Sequence, residues 1–281
     1  MDPLIINFTP TGMIPTKNLT PHVAVSPDEI IEQVIAAYEL GITMAHLHAR
    51  DEEGAPTYKA SVYRDIFEGI HQYCPDLLIC ASLSGRNFPE LEKRTEVLQL
   101  KPDMGSLTLS SLNFSRAASV NSPDTIVGLI EAMDKYGAKP ELECFDAGMI
   151  NYAHYLIKKG VLRPPFYFNL LLGNVASTQA EIAHIGLMIR DLPDQSYWAL
   201  ASLGQTQLSI NTLAIAFGGG VRVGVEDNIW YDSQRRKKAT NLELLQRIHR
   251  LAAEFERPIM KSEELGQAGF YNTQRFTNLA K

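Results

Sequence analysis

Residues 26–48 read SPDEIIEQVIAAYELGITMAHLH, a complete helix signal followed directly by a strand signal. Ser26 with Glu29 three positions on forms a capping box, Pro27 takes the first helical position, and Gly41 marks the stop. Between them Ile30, Ile31, Val34, Ile35 and Tyr38 make one apolar stripe at helical spacing. Thr43-Met44-Ala45-His46-Leu47 then reads as a short buried strand.

The same alternation recurs on both sides. Strand-like runs fall at Leu4 to Phe8, Leu77 to Ala81, Met104 to Thr108, Glu141 to Phe145, Phe166 to Leu170, Tyr197 to Leu200 and Val221 to Val225, which with the first makes eight. Ser122-Pro123-Asp124 opens a helix through Ile126, Leu129, Ile130 and Met133, stopped by Gly137. Thr178 to Glu181 and Thr240 to Glu243 read as two more capping boxes, the first leading into Ile182, Ile185 and Ile189, the second into Leu244, Leu245, Ile248 and Leu251.

Eight strand–helix units of about 30 residues fill this length, and roughly 250 residues is typical of a (βα)8 barrel. The expectation is therefore α/β, a single TIM-barrel domain over residues 1–281, with a weakly periodic tail from about residue 259 packing on the barrel or on a neighbouring subunit. A doubly wound sheet is the alternative, but no strand is followed by its glycine-rich nucleotide signatures.

Composition narrows the function classes. With 26 Lys+Arg against 32 Asp+Glu, 45% apolar and 21% charged residues, the 281-residue chain is an ordinary globular sequence of net charge −6. The longest basic cluster, Arg235 to Lys238, is no electrostatic footprint for a nucleic acid or an anionic membrane. The start lacks a basic and then apolar leader, and the most apolar window, Leu208 to Val221, is shorter than the roughly 18 residues of a membrane span. A cytoplasmic location is expected, with no nucleic-acid or membrane partner. Cys74, Cys80 and Cys144 are odd in number and without Cys-x-x-Cys spacing, so they read as reduced, buried thiols. The scattered His22, His71, His154, His184 and His249 read as ordinary surface or helix-face residues.

Chemistry concentrates at two strand ends, where a TIM barrel carries its active site. Alternation along the strand points His46 and His48 to one face, the spacing for two imidazoles on one metal ion; ordinary strand-end hydrogen bonds are the plain alternative. In Arg222-Val223-Gly224-Val225-Glu226-Asp227 the last strand offers a cation and then two carboxylates at the same end. Barrel closure brings this strand near the second, so Glu226 is the candidate third ligand. The plain alternative is a solvated acidic turn neutralised by Arg222. Two histidines and a carboxylate with an open position suit catalytic zinc.

These residues also carry a resemblance. Thr11-Gly12, His46-Leu47-His48-x-Arg50, Ser82 with Ser84-Gly85, Lys101-Pro102-Asp103-Met104, Leu112-Asn113-Phe114, Pro140-Glu141-x-Glu143, Gly148-Met149 and Gly224-x-Glu226-Asp227-Asn228 resemble the β-keto acid cleavage enzymes, nearly end to end. The resemblance implies a zinc-dependent TIM barrel, usually a homotetramer. Such enzymes condense a β-keto acid with acetyl-CoA and release acetoacetate plus the CoA thioester of the shortened acid. It implies zinc ligands at His46, His48 and Glu226, an acid/base pair at Arg222 and Asp227, and substrate-carboxylate contacts at Ser82, Gly85 and Ser106. The reaction itself asks for a Lewis acid at a carbonyl oxygen and a carboxylate base, for which Asp227 steered by Arg222 is the candidate.

Four positions bear on specificity. Ile14 stands where the amine-cleaving member has a glutamate for the substrate ammonium, which points to a substrate without an amine there. Thr108 stands where the family often carries Asn, and Arg86 where small residues are usual. Arg86 reads equally as a helix-start surface residue or as a contact for an anionic tail or a CoA phosphate. Glu143 reads as a pocket contact or as a solvated strand-end carboxylate. Competing with the cleavage enzyme are an amidohydrolase-like metal hydrolase, which places its His-x-His pair on the first strand, and a barrel that binds a metabolite without turnover.

Overall fold

The structure is a computed structural model describing residues 2–275. Eight parallel strands close into a barrel in chain order: β1 (Ile6–Phe8), β2 (Met44–Leu47), β3 (Leu78–Ala81), β4 (Met104–Thr108), β5 (Lys139–Cys144), β6 (Phe166–Leu172), β7 (Ser196–Ser202) and β8 (Gly220–Val223). Closure is made by β8 on β1, with Asn7 opposite Arg222 and Phe8 opposite Val223. Helices α1 (Pro27–Leu40), α2 (Ala60–Tyr73), α3 (Leu91–Thr95), α4 (Pro123–Tyr136), α5 (Ala147–Lys158), α6 (Ile182–Arg190), α7 (Gln207–Ala216) and α8 (Asn241–Glu254) follow the successive strands, α1 after β1 and α8 after β8. Among the described residues no helix is long and apolar enough to cross a membrane. All three cysteines are buried and free.

Local signals hold where nothing long-range competes. Ser26 and Thr240 form their capping boxes, and the Ser122 side chain accepts from the Thr125 amide. The expected box from Thr178 to Glu181 does not form. The Thr178 amide donates to the Phe145 carbonyl at 3.0 Å and its carbonyl accepts from Gly173 at 2.9 Å. That pins the segment across the strand ends as a loop, so α6 starts at Ile182 behind an N-cap with no side-chain bond. Ile182, expected in the buried stripe, is exposed, whereas Ile185 is buried.

Alternation along each strand builds two cores. Outward residues such as Ile6, Phe8, Ala45, Leu47, Ile79, Leu142, Phe168, Leu170, Val221 and Val223 join the helices in the larger one. Inward residues nearest the strand starts, Met44, Leu78, Met104 and Tyr167, meet Leu265 and Phe270 in the second. Those last two come from the chain after α8, which turns under the barrel through α9 (Ser262–Leu265) and a turn of π-helix over Gly266–Phe270. Phe270 meets Tyr167 and Tyr197 edge-on, at centroid distances of 6.3 and 5.6 Å. Ser262 Oγ donates to the Thr43 carbonyl at 2.6 Å, and Arg275 pairs with Asp103 at 2.8 Å. The tail expected from about residue 259 is thus seated under the barrel as far as Arg275; residues 276–281 lie outside the described residues.

Candidate active site

The inward positions two residues further along the same strands are polar. Asn7 on β1, His46 on β2, Cys80 on β3, Glu141 on β5, Asn169 on β6 and Arg222 on β8 are all buried inside the barrel. Glu141 sits at their centre. Asn7 Nδ2 donates to its Oε1 at 2.5 Å, and Asn169 Nδ2 donates to the same oxygen. Its Oε2 accepts from His46 Nδ1 at 2.6 Å and from Cys80 Sγ at 2.9 Å. Burial pushes the Glu141 carboxyl up, but His46, Arg222 and the thiol hold it below the usual carboxylate range, so it is an anion. Since a carboxylate only accepts, the His46 proton is fixed on Nδ1 and Nε2 faces the barrel mouth.

There His46 Nε2 lies 3.2 Å from His48 Nε2, and His48 Nε2 lies 3.2 Å from Glu226 Oε1. The ligand atoms of His46, His48 and Glu226 all fall within 4.8 Å of one another. Glu226 Oε2 is buried without a hydrogen-bond partner, and burial holds the His48 imidazolium off. Two imidazole nitrogens and a carboxylate oxygen converging on one point, with a sealed acceptor left unanswered, fit a divalent cation. His46, Cys80 and Glu141 are equally close. In that set, however, the carboxylate is already saturated by donors and burial pushes the thiol far up, so the first set is the metal-like one.

The loop ahead of α1 closes on this cluster. Gly12 has φ 68°, and a Cβ there would lie 2.4 Å from Glu226 Cγ, so glycine is required on both counts. Buried Arg50 ties the loop down, its guanidinium donating to the Gly12 carbonyl at 3.1 Å and to that of Pro15 at 3.0 Å.

Arg222 reaches three carboxylates at once: Nη2 to Glu226 at 2.7 Å, Nε to Asp227 at 3.1 Å and Nη1 to Glu143 at 3.5 Å. Burial, with Glu226 alongside, raises the Asp227 carboxyl above its usual range against the pull of Arg222. Burial raises Glu143 likewise, while its Oε2 accepts from Thr108 Oγ1 at 2.8 Å.

All of this opens into a cavity of about 840 Å³ at the C-terminal strand ends. His46, His48, Ser82, Thr108, Glu143, Arg222, Glu226 and Asp227 line it, with Ile14 at its lip, 61% exposed. Gly85 and Ser106 are not among the lining residues. Ser106, the inward residue of β4 level with Glu141, lies below the cavity, its Oγ accepting from the Leu83 amide at 3.0 Å. Gly85 backs onto Arg94, whose guanidinium nitrogen would be 2.7 Å from a Cβ. Sequence reasoning missed Arg94 and the hub role of Glu141. Arg94 is buried, donates to the Leu83 carbonyl at 2.7 Å and to Asn121 Oδ1 at 2.9 Å, and has one buried nitrogen without a partner. Glu141-x-Glu143 in a strand was the signal available for the hub, since both members share a face.

This barrel and site define a class: the chain belongs to the beta-keto acid cleavage enzyme family, whose sequence profile matches residues 3–268. The 3-keto-5-aminohexanoate cleavage enzyme of Fusobacterium nucleatum is 36% identical over 269 residues, which is 95% of this chain and 97% of that enzyme. The 3-oxoadipate:acetyl-CoA acetyltransferase of Cupriavidus necator is 32% identical over 92% of this chain and 91% of that enzyme. Among solved structures, apo ObcA superposes with a TM-score of 0.80 at 18% identity, over 90% of this chain. This chain spans just under two thirds of ObcA, 66%, and that likeness speaks for the fold alone.

Proposed function

We propose that the protein cleaves a β-keto acid against acetyl-CoA, giving acetoacetate and the CoA thioester of the shortened acid. The CH2–COO⁻ fragment changes acyl partner: its bond to the substrate's keto carbon breaks, a bond to the acetyl carbon forms, and the CoA sulfur passes the other way. The observation that supports this most directly is one cavity holding both the His46–His48–Glu226 cluster and the Arg222–Asp227 pair. Zinc is the cation proposed for the cluster, where it would act as a Lewis acid toward a carbonyl oxygen.

The remaining work falls to the chain's own groups. Asp227 takes a proton from the carbon between keto group and carboxylate and returns it to that carbon after the old carbon–carbon bond has broken; its raised basicity suits the first task. Arg222 keeps the base in place at 3.1 Å and compensates the charge gathered there. Glu141 acts as a positioning residue, orienting His46 through the 2.6 Å bond. Ser82 holds the substrate carboxylate, with Gly85 and Ser106 setting the shape of the loop that carries it, while Thr108 and Glu143, at the ends of the next two strands, form the wall beside it. The tetrameric assembly and the cytoplasmic location belong to the same proposal.

The test incubates the protein with acetyl-CoA and β-keto acids bearing apolar, anionic and cationic tails, following acetoacetate by mass spectrometry and metal by elemental analysis. We expect acetoacetate and acyl-CoA in equal amounts, and about one zinc per chain that is lost in His46→Ala. Zinc-loaded protein silent on every acid would overturn the reaction; full metal occupancy in His46→Ala would overturn the ligand assignment.

A further inference from the structure

The charges around the cavity do not balance in space. Its three carboxylates, Glu143, Glu226 and Asp227, all lie against Arg222. Arg86 enters the same cavity from the loop after β3; Glu226 and Glu143 act on it from a distance, but among the described residues no carboxylate comes within ion-pairing distance of it. It is not at a helix start, since α3 begins at Leu91. Its guanidinium carbon lies 3.6 Å from the centroid of Phe114, which is itself set edge-on against Phe145. Its Nε is sealed from solvent and bonded to nothing. A stacked guanidinium with a free, buried N–H is an edge prepared for a planar anion, because leaving that donor unanswered costs more than leaving it in water. Ile14 at the lip offers no charge to an ammonium.

We propose that Arg86 determines specificity by receiving a second carboxylate, so that the preferred substrate is a β-keto dicarboxylic acid. This rests on the cleavage reaction proposed above. Arg86 is only partly exposed within the cavity, and that depth favours the compact carboxylate of the acid over a CoA phosphate. Arg116, exposed on the same cavity, is the cation open to the solvent side.

The test compares 3-oxoadipate with 3-oxohexanoate, acids of equal carbon number that differ in the tail carboxylate. The native enzyme should favour 3-oxoadipate by about tenfold or more in kcat/KM. Arg86→Met should cost that acid about 100-fold, chiefly through KM, leave 3-oxohexanoate within about threefold, and be partly rescued in Arg86→Lys. Equal losses on both acids would overturn the proposal. So would a raised KM for acetyl-CoA with that for acetyl-pantetheine unchanged, which would assign Arg86 to the CoA phosphates. If no β-keto acid is cleaved, the reaction falls separately and binding still decides this point. Adipate should then bind the native protein more tightly than hexanoate does, by about tenfold, and Arg86→Met should erase the difference; equal binding of the two by native protein would refute it.

Discussion

The two ends of the barrel interior are built from the same strands and do opposite things. At the strand starts Met44, Leu78, Met104 and Tyr167 close over Leu265 and Phe270 in a buried apolar plug. Two residues on, roughly 6–7 Å along each strand, His46, Cys80 and Asn169 surround the Glu141 carboxylate, and beyond them lies a cavity full of charge. A buried polar layer is costly unless its groups answer one another, as those around Glu141 do, and here the plug supplies the apolar burial that lets the upper layer be polar. The lesson is a division of labour by depth, with one side-chain step separating the stabilising level from the reacting one.

Four perturbations probe that division, the largest first. Asp227→Asn should keep zinc and fold yet lose about 10²–10⁴ in kcat, measured as acetoacetate release; a near-normal rate would remove Asp227 from the chemistry. Phe270→Ala, at the opposite end, should lower unfolding free energy in urea by about 3–5 kcal/mol with kcat per folded molecule unchanged. A collapse of kcat there would mean that the two ends are not separable. Glu141→Gln addresses the layer between them. It should weaken zinc binding by about 10–100-fold in a chelator competition, because the amide carries no charge to support His46 and sets an N–H against donors that both carboxylate oxygens now accept from; unaltered affinity would make Glu141 structural only.

The smallest effect concerns the thiols. Burial pushes Cys74 up to about 11 and lifts Cys80 and Cys144 well above the ordinary thiol range. Native protein at pH 8 should therefore take up almost no iodoacetamide, while urea-unfolded protein takes up three equivalents, one for each cysteine. Rapid labelling of Cys80 in the native state would show that the polar layer is open to solvent.

The strand runs, the capping boxes at Ser26 and Thr240 and the shared face of His46 and His48 were legible in the chain, because each depends on neighbours a few residues away. The box at Thr178 misled for the converse reason: its amide is held by the Phe145 carbonyl on another strand end, and that distant partner, with Gly173 nearer by, outweighs a local cap. Arg86 left two readings open until Phe114, 28 positions on in the sequence, was placed beneath its guanidinium.

Sequence by itself determined the alternating elements, the barrel and the residue types at two strand ends, since period and punctuation are local properties of the chain. The tertiary structure alone decided what those residues face. Glu141 becomes a hub only because barrel closure brings Asn7, His46, Cys80 and Asn169 around one carboxylate. Arg222 gathers Glu143 together with Glu226 and Asp227 for the same reason. Burial then sets their charges, and burial is a property of the closed barrel rather than of any segment of it.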